Sequence, residues 1–123
     1  MSLQGSCFMT DRLRYWDLEL CDESWRSWGQ QGSEVAIKTW LSGGRVICNR
    51  ATWYAHLFRT QPGFSFPYPQ NGNAQQRARD ICNDIFKHNK WPKQVKKLSW
   101  LVEKFWPVDG WTDEDLAKLK EME

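Results

Sequence analysis

Residues 28–59 read WGQQGSEVAIKTWLSGGRVICNRATWYAHLFR, and this stretch decides the fold class. Ser33 is a good N-cap, and behind it Val35, Ile37, Trp40 and Leu41 supply the apolar positions of a short helix over 34–41. Gly43-Gly44 is the chemistry of a helix end. The segments Arg45 to Asn49 and Thr52 to Phe58 follow, rich in β-branched and aromatic residues, and they read as two strands. A helix between strands predicts an α/β chain, or α+β if the chain is only part of a sheet.

Working outward, Gly5 to Thr10 reads as a further strand, and Asp11 as the N-cap of a helix. Met1 to Gln4 is an N-terminal edge or an added remnant, outside the fold argument. Thr60 to Gly72 holds three prolines and several aromatic residues, so it is a loop that packs on something. The rest is helical. Asn73 and Gln76 have capping-box spacing, and Ala78, Ile81, Cys82, Ile85 and Phe86 form one apolar stripe. Pro92 opens another helix with Val95, Leu98, Leu101, Val102 and Phe105 inward. Pro107 to Gly110 breaks it, and Thr112 with Asp115 caps a last one.

The 123 residues allow one domain. At 41% hydrophobic and 26% charged the chain is not wholly disordered, and no apolar run reaches the roughly 18 residues of a membrane span. Seventeen basic against 15 acidic residues leave a net charge of +2, too balanced to imply nucleic acid. Nine Trp call for a compact core or a stacking surface. Cys7, Cys21, Cys48 and Cys82 lack zinc-site spacing, and with no signal-peptide pattern they are expected as free thiols in a reducing, cytoplasmic setting.

The ordered set Gly5, Phe8, Asp11-Arg12, Asp22, Trp28-Gly29, Glu34, Trp40, Gly43-Gly44 and His56-Leu57-Phe58-Arg59 resembles the C-terminal part of the catalytic domain of GT-A-type glycosyltransferases. It is similar to family 2 enzymes and the polypeptide N-acetylgalactosaminyltransferases. The loop Pro62 to Pro67 resembles the family's lid. The resemblance implies that residues 5–72 are the end of a GT-A nucleotide-diphospho-sugar transferase sheet with its lid, and that 73–123 are a helical extension.

It further implies site roles. His56 is expected as a metal ligand, and Arg59 as a diphosphate contact, for which a guanidinium is well shaped. Glu34 is the expected catalytic carboxylate, with Trp28, Gly29 and Gln31 toward sugar and acceptor. Phe64 to Tyr68 form the lid. A divalent ion, Mn²⁺ or Mg²⁺, would serve the intact enzyme by neutralising the departing diphosphate, with none held tightly by this chain. Two positions depart from the pattern: Gln31 stands where the family has a carboxylate, and Phe64 where it has a Tyr. The nucleotide-binding half with its Asp-x-Asp motif is also not in the sequence. The expectation is a fragment of a glycosyltransferase acting on a nucleotide sugar and an acceptor, inactive alone, needing the missing half and prone to self-association through an open sheet edge.

The alternative is a small module binding nucleic acid or another polyanion. Lys87, Lys90, Lys93, Lys96, Lys97 and Lys104 with Trp91 and Trp100 make a basic, aromatic stretch over 87–104. The acidic tail from Asp109 onward opposes that charge, so nucleic acid is not the expected partner.

Overall fold

The computed structural model describes residues 1–26, 30–57, 62–63 and 72–123. Among them the chain is helical: α1 (Arg12–Asp17), a 3₁₀ turn (Glu23–Trp25), α2 (Gln31–Leu41), α3 (Gly72–Lys87), α4 (Leu98–Lys104) and α5 (Asp113–Met122). The expected GT-A sheet is overturned, because no strand occurs among the described residues. Residues 5–10, 45–49 and 52–57 have the composition of strands, but no backbone hydrogen bond ties any of the last two segments to another part of the described chain. A strand exists only when a neighbour completes its ladder, so β-propensity alone leaves these segments as extended coil. The Asn49 side chain accepts from the Ala51 N–H at 2.9 Å and turns the chain between the two segments.

Helix ends follow their capping chemistry. Asp11 accepts from the Leu13 and Arg14 N–H groups, opening α1 where the sequence placed it. Thr112 and Asp115 form a reciprocal capping box at the start of α5. Three expected boundaries move. Helix α2 starts at Gln31, ahead of Ser33, with Gln30 as an N-cap that makes no side-chain hydrogen bond. Helix α3 starts at Gly72, which puts Asn73 inside it. Helix α4 starts at Leu98 rather than Pro92, because the Val95 and Lys96 N–H groups are used on the Leu41 carbonyl at the end of α2. That contact clamps the 92–97 turn to α2 and leaves Val95 exposed instead of inward.

The core gathers Leu18, Leu20, Trp25, Val35, Trp40, Leu41, Ala78, Cys82, Phe86, Trp91, Leu98, Leu101, Val102 and Leu119. Helix α4 packs on both α2 and α5, and the 3₁₀ turn packs on α3. Trp25 meets Phe86 edge-on with ring centroids 6.4 Å apart, and Trp40 meets Phe105 at 5.3 Å. Gly44 is required by close approach, since a Cβ there would lie 2.8 Å from the Thr39 carbonyl oxygen. No helix among the described residues is long and apolar enough to cross a membrane.

Candidate functional site

The first turn of α2 carries Gln31 and Glu34, and the segment 18–26 wraps past it. Between them lies an open cleft of about 440 Å³ lined by Tyr15, Cys21, Asp22, Glu23, Arg26, Gln31 and Glu34. What holds its two walls together is ionic. Glu34 and Lys38 are one turn apart on α2, and only 2% and 3% of their surfaces are exposed. Glu34 Oε1 accepts from Lys38 Nζ at 2.7 Å and from the Asp22 N–H at 3.1 Å. Lys38 Nζ also donates to the Glu19 carbonyl at 2.6 Å. The ammonium lies 5.9 Å from the Trp25 ring centre and 6.0 Å from that of Trp91. Burying two charges is tolerable only with such a set of partners.

The wrapping segment is strained. Glu19, Cys21 and Arg26 are non-glycine residues with positive φ, at 52°, 60° and 56°. Left-handed backbone of this kind persists where surrounding contacts over-determine it; here the contacts to Glu34 and Lys38 do so on either side of Cys21.

The cleft presents a mixed polar face. Gln31 Nε2 donates to Cys21 Sγ at 3.2 Å. The hydrogen bond to Cys21, then burial, then the negative charge of Glu34 and Glu23 raise the Tyr15 pKa, so its hydroxyl stays protonated at neutral pH. Burial would raise the Asp22 pKa, but the Ser24 hydrogen bonds, with Lys38 behind them, outweigh it and keep the carboxylate ionised. A phenol, an amide, a guanidinium and carboxylates in one open cleft are donors and acceptors suited to a polyhydroxylated ligand.

Of the residues expected from sequence, the structure brings Gln31 and Glu34 together here. His56 is not among the lining residues and is exposed, on the 45–57 segment. Trp28, Gly29, Arg59, Phe64 and Tyr68, with most of the expected lid, lie outside the described residues. Among the described residues no group of three His, Cys, Asp or Glu side chains could hold a metal ion. Sequence reasoning missed Tyr15, Cys21, Glu23 and Arg26 as lining groups. Asp22 and Glu23 carried a usable signal, an acidic pair able to cap a short turn, and the Asp22 side chain does accept from the Ser24 N–H at 2.9 Å.

The lysines of 87–104 are largely engaged. Lys90 pairs with Asp84 at 2.7 Å and Lys93 with Glu19 at 3.2 Å. Lys97 donates to the Glu123 carbonyl at 3.4 Å. Lys96 lies over the Trp100 ring, and Lys104 over those of Trp40, Trp100 and Phe105.

Comparison with known proteins agrees with the motif. The chain is similar to polypeptide N-acetylgalactosaminyltransferases. It is 29% identical over 65 residues to polypeptide N-acetylgalactosaminyltransferase 3 of Drosophila melanogaster, covering 53% of this chain and 10% of that protein. It is 29% identical over 99 residues to the putative polypeptide N-acetylgalactosaminyltransferase 13 of the same organism, covering 80% and 16%. It is 28% identical over 88 residues to polypeptide N-acetylgalactosaminyltransferase 5 of Rattus norvegicus, covering 69% and 10%. The chain thus spans between a tenth and a sixth of the length of these relatives. No family model and no solved structure matches.

Proposed function

We propose that the chain is one segment of a glycosyltransferase that moves a sugar from a nucleotide-sugar donor, and that the cleft beside α2 forms part of its sugar or acceptor side. One observation carries the reading: Gln31 and Glu34, both expected there from the motif, line a single polar cleft. The similarity to N-acetylgalactosaminyltransferases supports an N-acetylgalactosamine donor.

Within this reading Glu34 positions rather than shuttles protons. Its Oε1 already takes two donors, so it offers a ligand a fixed carboxylate. Gln31 has no basicity and orients a hydroxyl through its amide. Tyr15 donates and the ionised Asp22 accepts. The left-handed backbone at Cys21 and Arg26 holds these groups in place before the ligand arrives, which lowers the ordering cost of binding.

A divalent metal does not fit the described residues by themselves, since no three His, Cys, Asp or Glu side chains among them come together to hold one. Its remaining ligands belong in this reading to polypeptide outside the 123 residues, while Arg59 stays the expected diphosphate contact. The four free thiols accord with a reducing compartment such as the cytoplasm.

Calorimetric titration of the chain with UDP and Mn²⁺ tests the segment reading. Weak binding at millimolar ligand is expected. Micromolar affinity would show that this polypeptide already encloses the nucleotide, and would overturn it.

A further inference from the structure

We infer that Lys38 is the positioning residue of the cleft: it holds one oxygen of Glu34 so that the other meets a hydroxyl or amide N–H of the ligand. The inference rests on reading the cleft as the sugar or acceptor side. Lys38 is the one buried lysine among the described residues. Lys90, Lys93 and Lys120 meet acids at the surface, whereas the Lys38 side chain is 4% exposed. Its ammonium is fixed by Glu34 Oε1 at 2.7 Å and the Glu19 carbonyl at 2.6 Å, with the Trp25 and Trp91 rings at 5.9 and 6.0 Å. Lys38 is not among the residues lining the cleft, so whatever it does for a ligand it does through Glu34.

The asymmetry of the Glu34 carboxylate carries the inference. Lys38 Nζ and the Asp22 N–H both donate to Oε1. Among the described residues no group donates to Oε2. Yet Glu34 is 2% exposed and lines the cleft. A buried carboxylate oxygen without a donor is costly. The cleft is the open side of Glu34, so a ligand donor that enters it makes a charge-assisted hydrogen bond to an acceptor already held in place.

Stability alone does not account for the lysine. Apolar side chains of similar volume often hold a core as well as a buried ion pair, or better. What they cannot do is keep a carboxylate in one orientation on a cleft wall. Lys38 also reaches the opposite wall through the Glu19 carbonyl, two residues before Cys21. One ammonium therefore sets the carboxylate and the left-handed segment against each other.

The test uses the 123-residue chain, labelled with ¹³C and ¹⁵N and titrated with N-acetylgalactosamine. The Glu34 side-chain carboxyl signal should move together with the cleft amides. Lys38→Met should weaken binding about tenfold, and Lys38→Arg, which keeps a cation beside Glu34, by less. Because Lys38→Met can unfold the chain, a third variant combines it with Glu34→Gln and leaves no buried charge. That double variant should recover stability without recovering binding, a separation that a purely structural pair does not produce. Cleft amides that move while the Glu34 carboxyl signal does not, or a folded double variant that binds as the unaltered chain does, would overturn the inference and leave the cleft reading standing. Cleft amides that stay still throughout would overturn both.

Discussion

Glu34 and Lys38 form a buried ion pair 2.7 Å long that joins α2 to the segment carrying Asp22 and Glu19. Its weight is structural before it is chemical: the pair sets the shape of the cleft because both of its outside partners are backbone groups of the opposite wall.

Removing one member should leave an uncompensated buried charge. Lys38→Met or Glu34→Gln is expected to cost about 3–5 kcal/mol. The double replacement Glu34→Gln with Lys38→Met should recover part of that loss, because no charge is then left unpaired. Urea denaturation of the two single variants and the double variant checks this. Additive losses would show that the pair is not coupled.

Acid should destabilise the fold through a small set of carboxylates. Hydrogen bonds from the Thr112 backbone and hydroxyl hold the Asp115 pKa below its ordinary 3.8, and the bond from Lys90 does the same for Asp84. A pKa depressed in the folded state gives stability that is present above 3.8 and lost as pH falls through the lower folded value. The urea midpoint should therefore fall as pH drops below 3.8, and Asp115→Asn should flatten that dependence. An unchanged slope in the variant would contradict the assignment.

The four thiols should separate by reactivity. Burial, followed by the charge of Glu34, pushes the Cys82 thiol up to about 11, while Cys7 and Cys48 are exposed. At pH 8 about one Cys82 in a thousand is a thiolate, and the residue is buried. Iodoacetamide mapped by mass spectrometry should label Cys7 and Cys48 quickly and Cys82 only after denaturation. Fast labelling of Cys82 in the folded chain would mean that the α3 packing is wrong.

The turn after α2 should not accept a side chain at Gly44. A Cβ 2.8 Å from the Thr39 carbonyl oxygen forces the turn apart, with an expected cost for Gly44→Ala of about 1–3 kcal/mol. Thermal unfolding measures it; an unchanged midpoint would show that the turn relaxes freely.

Helices were legible from the sequence wherever the information was local. Asp11 and the Thr112–Asp115 box opened their helices as read, and Ala78, Cys82 and Phe86 of the α3 stripe are buried. The strands were not legible, because Arg45 to Asn49 and Thr52 to Leu57 have strand composition and a strand also needs a neighbour. Pro92 misled for a related reason: it can open a helix, but the Leu41 carbonyl competes for the N–H groups that follow it. Two of the seven residues lining the cleft were readable as site residues. Gln31 and Glu34 stood out through the family pattern, whereas Cys21 and Arg26 reach it through left-handed backbone that no periodicity announces, and Tyr15 reaches it from α1.

The account turns most directly on whether the cleft takes a sugar. Backbone amide spectra of the ¹⁵N-labelled chain, titrated with millimolar N-acetylgalactosamine, should move at Cys21, Asp22, Glu23 and Gln31. The shifts should disappear in a Gln31→Ala variant that remains folded. Spectra unchanged at those four amides, or changed only along 45–57, would contradict the assignment of the cleft to the sugar or acceptor side.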